Sequence, residues 1–168
     1  MPFSFLPRVI IPKLTDITPE LLKKRKIRLL MMDFDNTILP YTSTKPTEEL
    51  LGWFKKMKEG GVELCVVSNS KKDKALKFCR EHGIGCITHS KKPFARGIRQ
   101  CLEKHAAKPS EAALVGDQIY TDVLGANCAG ATSILVKPLH LHNIWLKLRH
   151  VAEQPFILLA RKRRITKP

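Results

Sequence analysis

From Ile27 onward, short apolar blocks alternate with stretches of helical periodicity. The run Ile27 to Phe34 is largely apolar and ends on acidic residues, the pattern of a buried strand that stops at a site. Thr44 to Gly61 carries Pro46 near its start, then Leu50, Leu51, Phe54 and Met57 at helical spacing and a Gly-Gly stop, which predicts a helix. Val62 to Val67 predicts a second buried strand, Lys71 to His82 a helix stopped at Gly83, and Ile84 to Thr88 a short strand. Pro93 opens a helix reaching about His105, and Ala112 to Val115 makes another strand. Tyr120 to Ala129 predicts a short helix closed by Gly130, and Ala131 to Val136 a last strand.

Strands joined by helices of this length become parallel neighbours through right-handed crossovers. The expected fold is therefore a doubly wound α/β core over residues 27–137, a mainly parallel sheet with helices on both faces. Ligands of such folds bind at the carboxyl ends of the strands. Residues 1–26 form a Pro-rich, partly apolar segment expected to pack on the domain or on a membrane. In residues 138–168, Leu141, Ile144, Trp145, Leu148 and Val151 predict one apolar helical face, followed by a basic tail from Arg161 to Arg164.

Composition narrows the class. The 168 residues, 43% of them apolar, suffice for one domain with a sizeable core. Thirty Lys and Arg against fifteen Asp and Glu leave a formal charge of +15, so the partner is expected to be anionic. Nucleic acid, an anionic membrane surface and a phosphorylated substrate all satisfy that charge. The five cysteines include no C-x-x-C pair and the histidines show no ligand spacing, so neither a disulfide framework nor a zinc site is expected. No apolar run approaches the roughly 18 residues that a spanning helix needs, and no signal-peptide pattern is present.

The chemistry lies in where the polar residues fall. Asp33 and Asp35 follow the first strand, Ser68 and Asn69 the second, Lys91 and Lys92 precede a helix, and Asp117 and Asp122 follow the Ala112 strand. On a parallel sheet these positions converge. Carboxylates gathered there repel one another unless a cation sits among them, and Mg²⁺ suits a few carboxylate oxygens together with a substrate phosphate. Asp33 can then attack phosphorus, while Asp35, from the bend that follows, protonates the leaving oxygen and later deprotonates water. Ser68 and Lys92 are placed to hold the transferring phosphoryl oxygens. Asn36 and Gln118 either contact substrate or satisfy loop backbone groups.

Asp33-Phe-Asp-Asn-Thr37, Ser68-Asn69, Lys92-Pro93 and Gly116-Asp117-x-x-x-Thr121-Asp122 resemble the four ordered motifs of the haloacid dehalogenase superfamily, over about Ile27 to Val136. The resemblance implies Asp33 as nucleophile and metal ligand, Asp35 as acid/base with its backbone carbonyl on Mg²⁺, and Asp117 as a further ligand. Thr37, Ser68, Asn69 and Lys92 are the implied phosphate contacts, and Asp122 stands behind the ligands. The Lys-Pro pairing favours Lys92 over Lys91. The second Asp of the first motif marks phosphatases rather than dehalogenases. Thr37 is followed almost at once by a helix, and Ser68 to Lys92 holds one helix and one short strand, so no cap domain is expected.

An uncapped site suits substrates attached to something large. Asp33-Phe-Asp-Asn-Thr-Ile, Lys91-Lys-Pro and Gly116-Asp-Gln-Ile-Tyr-Thr-Asp-Val-Leu-Gly-Ala-Asn, after an N-terminal Phe-x-Phe-Leu-Pro, resemble the capless branch that contains phosphatidylglycerophosphate phosphatases. That implies a lipid phosphomonoester as substrate and a cytoplasmic protein peripheral to the inner face of an anionic membrane, with no specific nucleic acid. Two other readings use the same residues: a phosphatase of a soluble nucleotide or sugar phosphate, and a catalytically silent nucleic-acid-binding module.

Overall fold

The computed structural model describes residues 3–70, 73–140 and 144–162, apart from the side chain of Trp145. Strand β1 (Val9–Ile11) is followed by a tight turn (Leu14–Asp16) and helix α1 (Pro19–Lys24). Then come β2 (Leu29–Met32), α2 (Glu48–Glu59), β3 (Glu63–Val67), α3 (Asp73–His82), β4 (Gly85–Ile87) and α4 (Arg96–Lys104). The chain continues through β5 (Ala112–Gly116), α5 (Leu124–Ala129), β6 (Thr132–Val136) and α6 (Ile144–Lys162). All strands pair in parallel, in the order β1-β6-β5-β2-β3-β4. The winding reverses beside β2, because β3 and β4 build outward on one side while β5 and β6 build on the other. Such a reversal opens a crevice at the carboxyl ends of the central strands.

Strand alternation divides the core in two. Leu30, Met32, Val66 and Val115 point to the side packed by Trp53, Phe54 and Phe78 of α2 and α3. Leu29, Met31, Cys65 and Leu114 face Ile98, Cys101 and Ala126 of α4 and α5. Helix starts are fixed locally: the Thr18 and Thr47 hydroxyls accept hydrogen bonds from Leu21 N and Leu50 N, each at 3.2 Å. Among the described residues no separate domain interrupts β2 to α2 or β3 to β4, as expected for an uncapped fold.

The structure departs from the sequence pattern in three places. Residues 9–11 form an edge strand against β6, with Val9 opposite Ile134, and so tie the N-terminal segment to the sheet. Three residues between prolines carry too little periodicity to announce a strand. The helix expected over 120–129 is split into a widened turn (Ile119–Val123) and α5, because Val123 N reaches back five residues to Gln118 O (3.2 Å).

The third departure is the helix near the C-terminus, which docks by a face other than the one its apolar periodicity marks. Leu146, Glu153, Ile157 and Ala160 are buried, whereas Ile144, Leu148 and Val151 face outward. Leu141 and the Trp145 side chain lie outside the described residues. Polar anchoring overrides the apolar stripe, since the buried Glu153 carboxylate accepts the Ile119 N–H at 2.8 Å.

Candidate active site

The β2 register sets Met32 opposite both Val66 and Val115, so the residues that follow these three emerge at one edge of the sheet. Asp33 N donates to Val115 O at 2.9 Å and extends that registration to the first carboxylate. Carboxylate oxygens of Asp33, Asp117 and Asp122 come within 4.8 Å of one another, and all three side chains are buried. Lys92 Nζ lies among them, 2.7 Å from Asp33 Oδ1 and 2.8 Å from Asp122 Oδ1, and donates to Val67 O at 2.6 Å. Lys91, by contrast, is exposed.

Gly116 makes room for Asp122, because a Cβ at that position would collide with the Asp122 carboxylate. Asp122 Oδ2 accepts Gln118 N at 3.1 Å, and its other oxygen faces Lys92. Asp122 is thus committed to holding the lysine and the loop.

Asp117 is held more loosely. It accepts from Thr37 Oγ1 at 3.5 Å, and from Asn36 Nδ2 and Arg149 Nη2 at 3.4 Å each. All three lie beyond ordinary hydrogen-bond lengths of about 2.7–3.2 Å. Burial, reinforced by Asp122 and Asp33, pushes the Asp117 carboxyl up to about 8. Asp33 is pushed up to about 7, again chiefly by burial and against the pull of Lys92. Burial alone would depress Lys92, but Asp122 and Asp33 outweigh it and keep the ammonium charged.

Carboxylates whose burial outweighs their partners fit a hard divalent cation, since oxygen donors are its preferred ligands. Asp33 and Asp117 would hold it. The Asp35 side chain stands outside this group of three and is partly exposed.

The other expected residues divide between site and scaffold. Ser68 is buried at the same edge, and its hydroxyl accepts Ser70 N at 3.1 Å. Asn69 spends both ends of its amide on the loop that carries the lysine. Its Oδ1 accepts from Lys92 N (2.7 Å) and Ser90 Oγ (2.8 Å), and its Nδ2 donates to Lys92 O (2.8 Å). It therefore positions Lys92. Thr37 is buried against Asp117. Asn36, at φ 68, satisfies loop backbone instead of facing outward: it bonds His140 N at 2.8 Å and His140 O at 2.9 Å.

Arg149 and Glu153 on α6 were not legible as site residues, because only the docking of that helix brings them to the Asp117 loop. Beside them lies a cavity of about 560 Å³ running from Asp117 along β1 and β6. Ile10, Leu135, Val136 and Ile157 give it an apolar floor, and Lys137 and Arg161 a basic rim. Tyr41 also stands close, its hydroxyl pushed up to about 12 by burial and by the charges of Asp117, Asp33 and Asp35.

A model of the mitochondrial PGP phosphatase family matches residues 1–139. The probable phosphatase YqeG of Bacillus subtilis (strain 168) is 34% identical over 134 residues, covering 80% of this chain and 78% of that protein. The chloroplastic/mitochondrial phosphatidylglycerophosphate phosphatase 1 of Arabidopsis thaliana is 31% identical over 165 residues, 91% of this chain but 44% of the plant protein. Among solved structures, the cobalt-bound deoxy-D-mannose-octulosonate 8-phosphate phosphatase of Haemophilus influenzae shares the fold at 11% identity and TM-score 0.55, covering 83% of this chain and 92% of that one. CbbY of Rhodobacter sphaeroides in complex with phosphate does so at 13% identity and TM-score 0.53, over 70% and 89%. The chain belongs to the mitochondrial PGP phosphatase family and is a phosphoric monoester hydrolase.

Proposed function

We propose that the protein is a Mg²⁺-dependent phosphatase that converts phosphatidylglycerophosphate to phosphatidylglycerol while docked on an anionic membrane. The observation that carries the reading is the junction of the Asp33–Lys92–Asp117 cluster with a groove of apolar floor and basic rim. That pairing of surfaces suits a lipid whose phosphate must reach buried carboxylates. Family membership supports the same substrate class.

In this mechanism a carboxylate oxygen of Asp33 attacks phosphorus in line as the bond to the glycerol oxygen breaks, and Asp35 gives that oxygen its proton. Asp35 next takes a proton from water. The water oxygen attacks the aspartyl phosphate, releasing inorganic phosphate and freeing Asp33. Lys92, fixed by Asp33, Asp122 and Val67 O, keeps a positive charge where phosphoryl oxygens gather, and Ser68 offers a hydroxyl at the same edge. When bound, Mg²⁺ would be held by Asp33, Asp117 and the Asp35 backbone carbonyl and would supply charge neutralisation for the phosphoryl group.

The outward face of α6 supports the membrane part of the reading. Ile144 and Val151 are 64% and 65% exposed, Leu148 and Leu158 share their stripe, and Lys147, Arg161 and Lys162 flank it. An apolar stripe edged with lysine and arginine matches an anionic lipid surface. Phe94, two residues from Lys92, is also exposed. No helix among the described residues is long and apolar enough to cross a membrane.

The test is Mg²⁺-dependent phosphate release from phosphatidylglycerophosphate in vesicles, beside a soluble phosphomonoester, for the wild type and Asp33→Asn. Lipid turnover abolished by the substitution is the expected result. Turnover of the soluble ester alone would leave the chemistry standing and remove the lipid.

A further inference from the structure

A second cluster of ligand-type side chains lies away from the phosphatase site. Cys65 on β3, Cys101 on α4 and His105 at the end of α4 bring a sulfur, a sulfur and a ring nitrogen within 4.8 Å of one another. Helix α4 runs from β4 back to the start of β5, so its C-terminal end lies toward the amino edge of the sheet, opposite Asp33 and Asp117. Nothing in the phosphatase mechanism uses these groups.

Three features distinguish the cluster from ordinary buried cysteines. His105 Nε2 is buried and has no hydrogen-bond partner among the described residues. Its Nδ1 lies 2.6 Å from Glu63 Oε2, and that carboxylate is itself held by Arg28 Nη1 at 2.7 Å. A carboxylate on Nδ1 fixes the proton there and aims the Nε2 lone pair at the thiols, the outer-shell arrangement that orients metal-bound histidines. Finally, Gly85 on β4 keeps the space between them open, since an added Cβ would stand 3.2 Å from His105 Nε2 and 3.3 Å from Cys65 Sγ.

The geometry points to a thiophilic metal site in which Cys65, Cys101 and His105 bind one Zn²⁺, with Glu63 orienting the histidine. Two sulfurs and an imidazole select zinc over magnesium, and three protein ligands leave the fourth tetrahedral position to a small non-protein ligand. Binding releases the two thiol protons, and the resulting dithiolate and neutral imidazole balance the charge of the ion. The ion joins the middle of β3 to the crossover helix between β4 and β5. It belongs to the folded scaffold and is independent of the substrate.

The full-length chain, stripped with chelator under reducing conditions and supplied with Mg²⁺, is titrated with Co²⁺ as a spectroscopic probe and then with Zn²⁺. The expected result is one equivalent of cobalt with thiolate-to-metal charge-transfer absorption, displaced by zinc. His105→Ala and Cys101→Ser lose the band, Asp117→Asn keeps it, and Glu63→Gln weakens binding by about 10–100-fold. His105 sits at a helix end and is partly exposed, so its variant tests the site even where the cysteine variant fails to fold. Cobalt bound without a thiolate band, a band that survives His105→Ala, or no cobalt bound would each overturn the proposal.

Discussion

Lys92 Nζ lies 2.7 Å from Asp33 Oδ1, with both side chains almost wholly removed from water. A charge pair at that depth is held by mutual need, because either partner left alone is a buried unpaired ion. Lys92→Met therefore has two effects. The fold loses about 3–5 kcal/mol, read by urea denaturation, and phosphate release falls by about 10²–10³ through loss of the fixed positive charge. Unchanged turnover in a folded Lys92→Met protein would remove the lysine from the mechanism.

Asp33 and Asp117 make metal-free stability depend on pH. Their folded values, about 7 and about 8, lie above the ordinary carboxyl value of 3.8, so the folded state holds protons that the unfolded chain has released. Stability then falls as pH rises from about 4 to about 8. If Mg²⁺ binds the ionised carboxylates as proposed, it should flatten the decline. Thermal melts in chelator and in Mg²⁺ across that window check the sign, and a metal-free Tm that rises with pH would contradict it.

A divalent cation held by Asp117 as proposed would compete with Arg149, whose guanidinium rests 3.4 Å from its Oδ2. Once the carboxylate turns to the metal, the arginine is left with a free charge beside the substrate groove. Arg149→Ala should bind Mg²⁺ more tightly and raise KM for the phosphate ester about 10–100-fold, the worth of a charged hydrogen bond. Calorimetric Mg²⁺ titration and steady-state kinetics separate the two effects.

Gly116→Ala tests packing behind the site. Its new methyl must displace the Asp122 carboxylate, which in turn holds Lys92. Overpacking of this kind costs about 1–3 kcal/mol, and the displaced lysine should lower kcat more than it raises KM. Wild-type kcat in this variant would show that Asp122 need not stay where it is.

Leu148→Glu together with Val151→Glu tests the outward face of α6. Removing two apolar anchors, each worth about 1.5–3 kcal/mol when buried, and adding two negative charges should abolish cosedimentation with anionic vesicles. Hydrolysis of a soluble phosphomonoester should continue unchanged, since neither side chain faces the core.

Much of this arrangement is local and therefore readable along the chain. Apolar blocks ending at Asp33, Ser68 and Asp117 announce strands whose carboxyl ends carry chemistry, because parallel strands buried on both faces need continuous apolar runs. Gly130 marks a helix end by its left-handed backbone, a property of a single residue.

Relations between distant residues belong to the tertiary structure. Lys91 and Lys92 are adjacent and chemically alike, and only the loop fixed by Asn69 sends the second one inward. Helix α6 shows an apolar stripe in its sequence, yet Glu153 and Arg149 decide which way it faces, through partners some 30 positions earlier. Cys65 lies far from Cys101 and His105 along the chain, and the pairing of β3 with β4 beneath α4 brings them into one cluster. The sequence by itself determined the five strands β2 to β6 and the acidic motifs at their ends, since these follow from periodicity and single-residue geometry. Which lysine, which helix face and which cysteines meet was decided by packing, because those contacts exist only once the layers close.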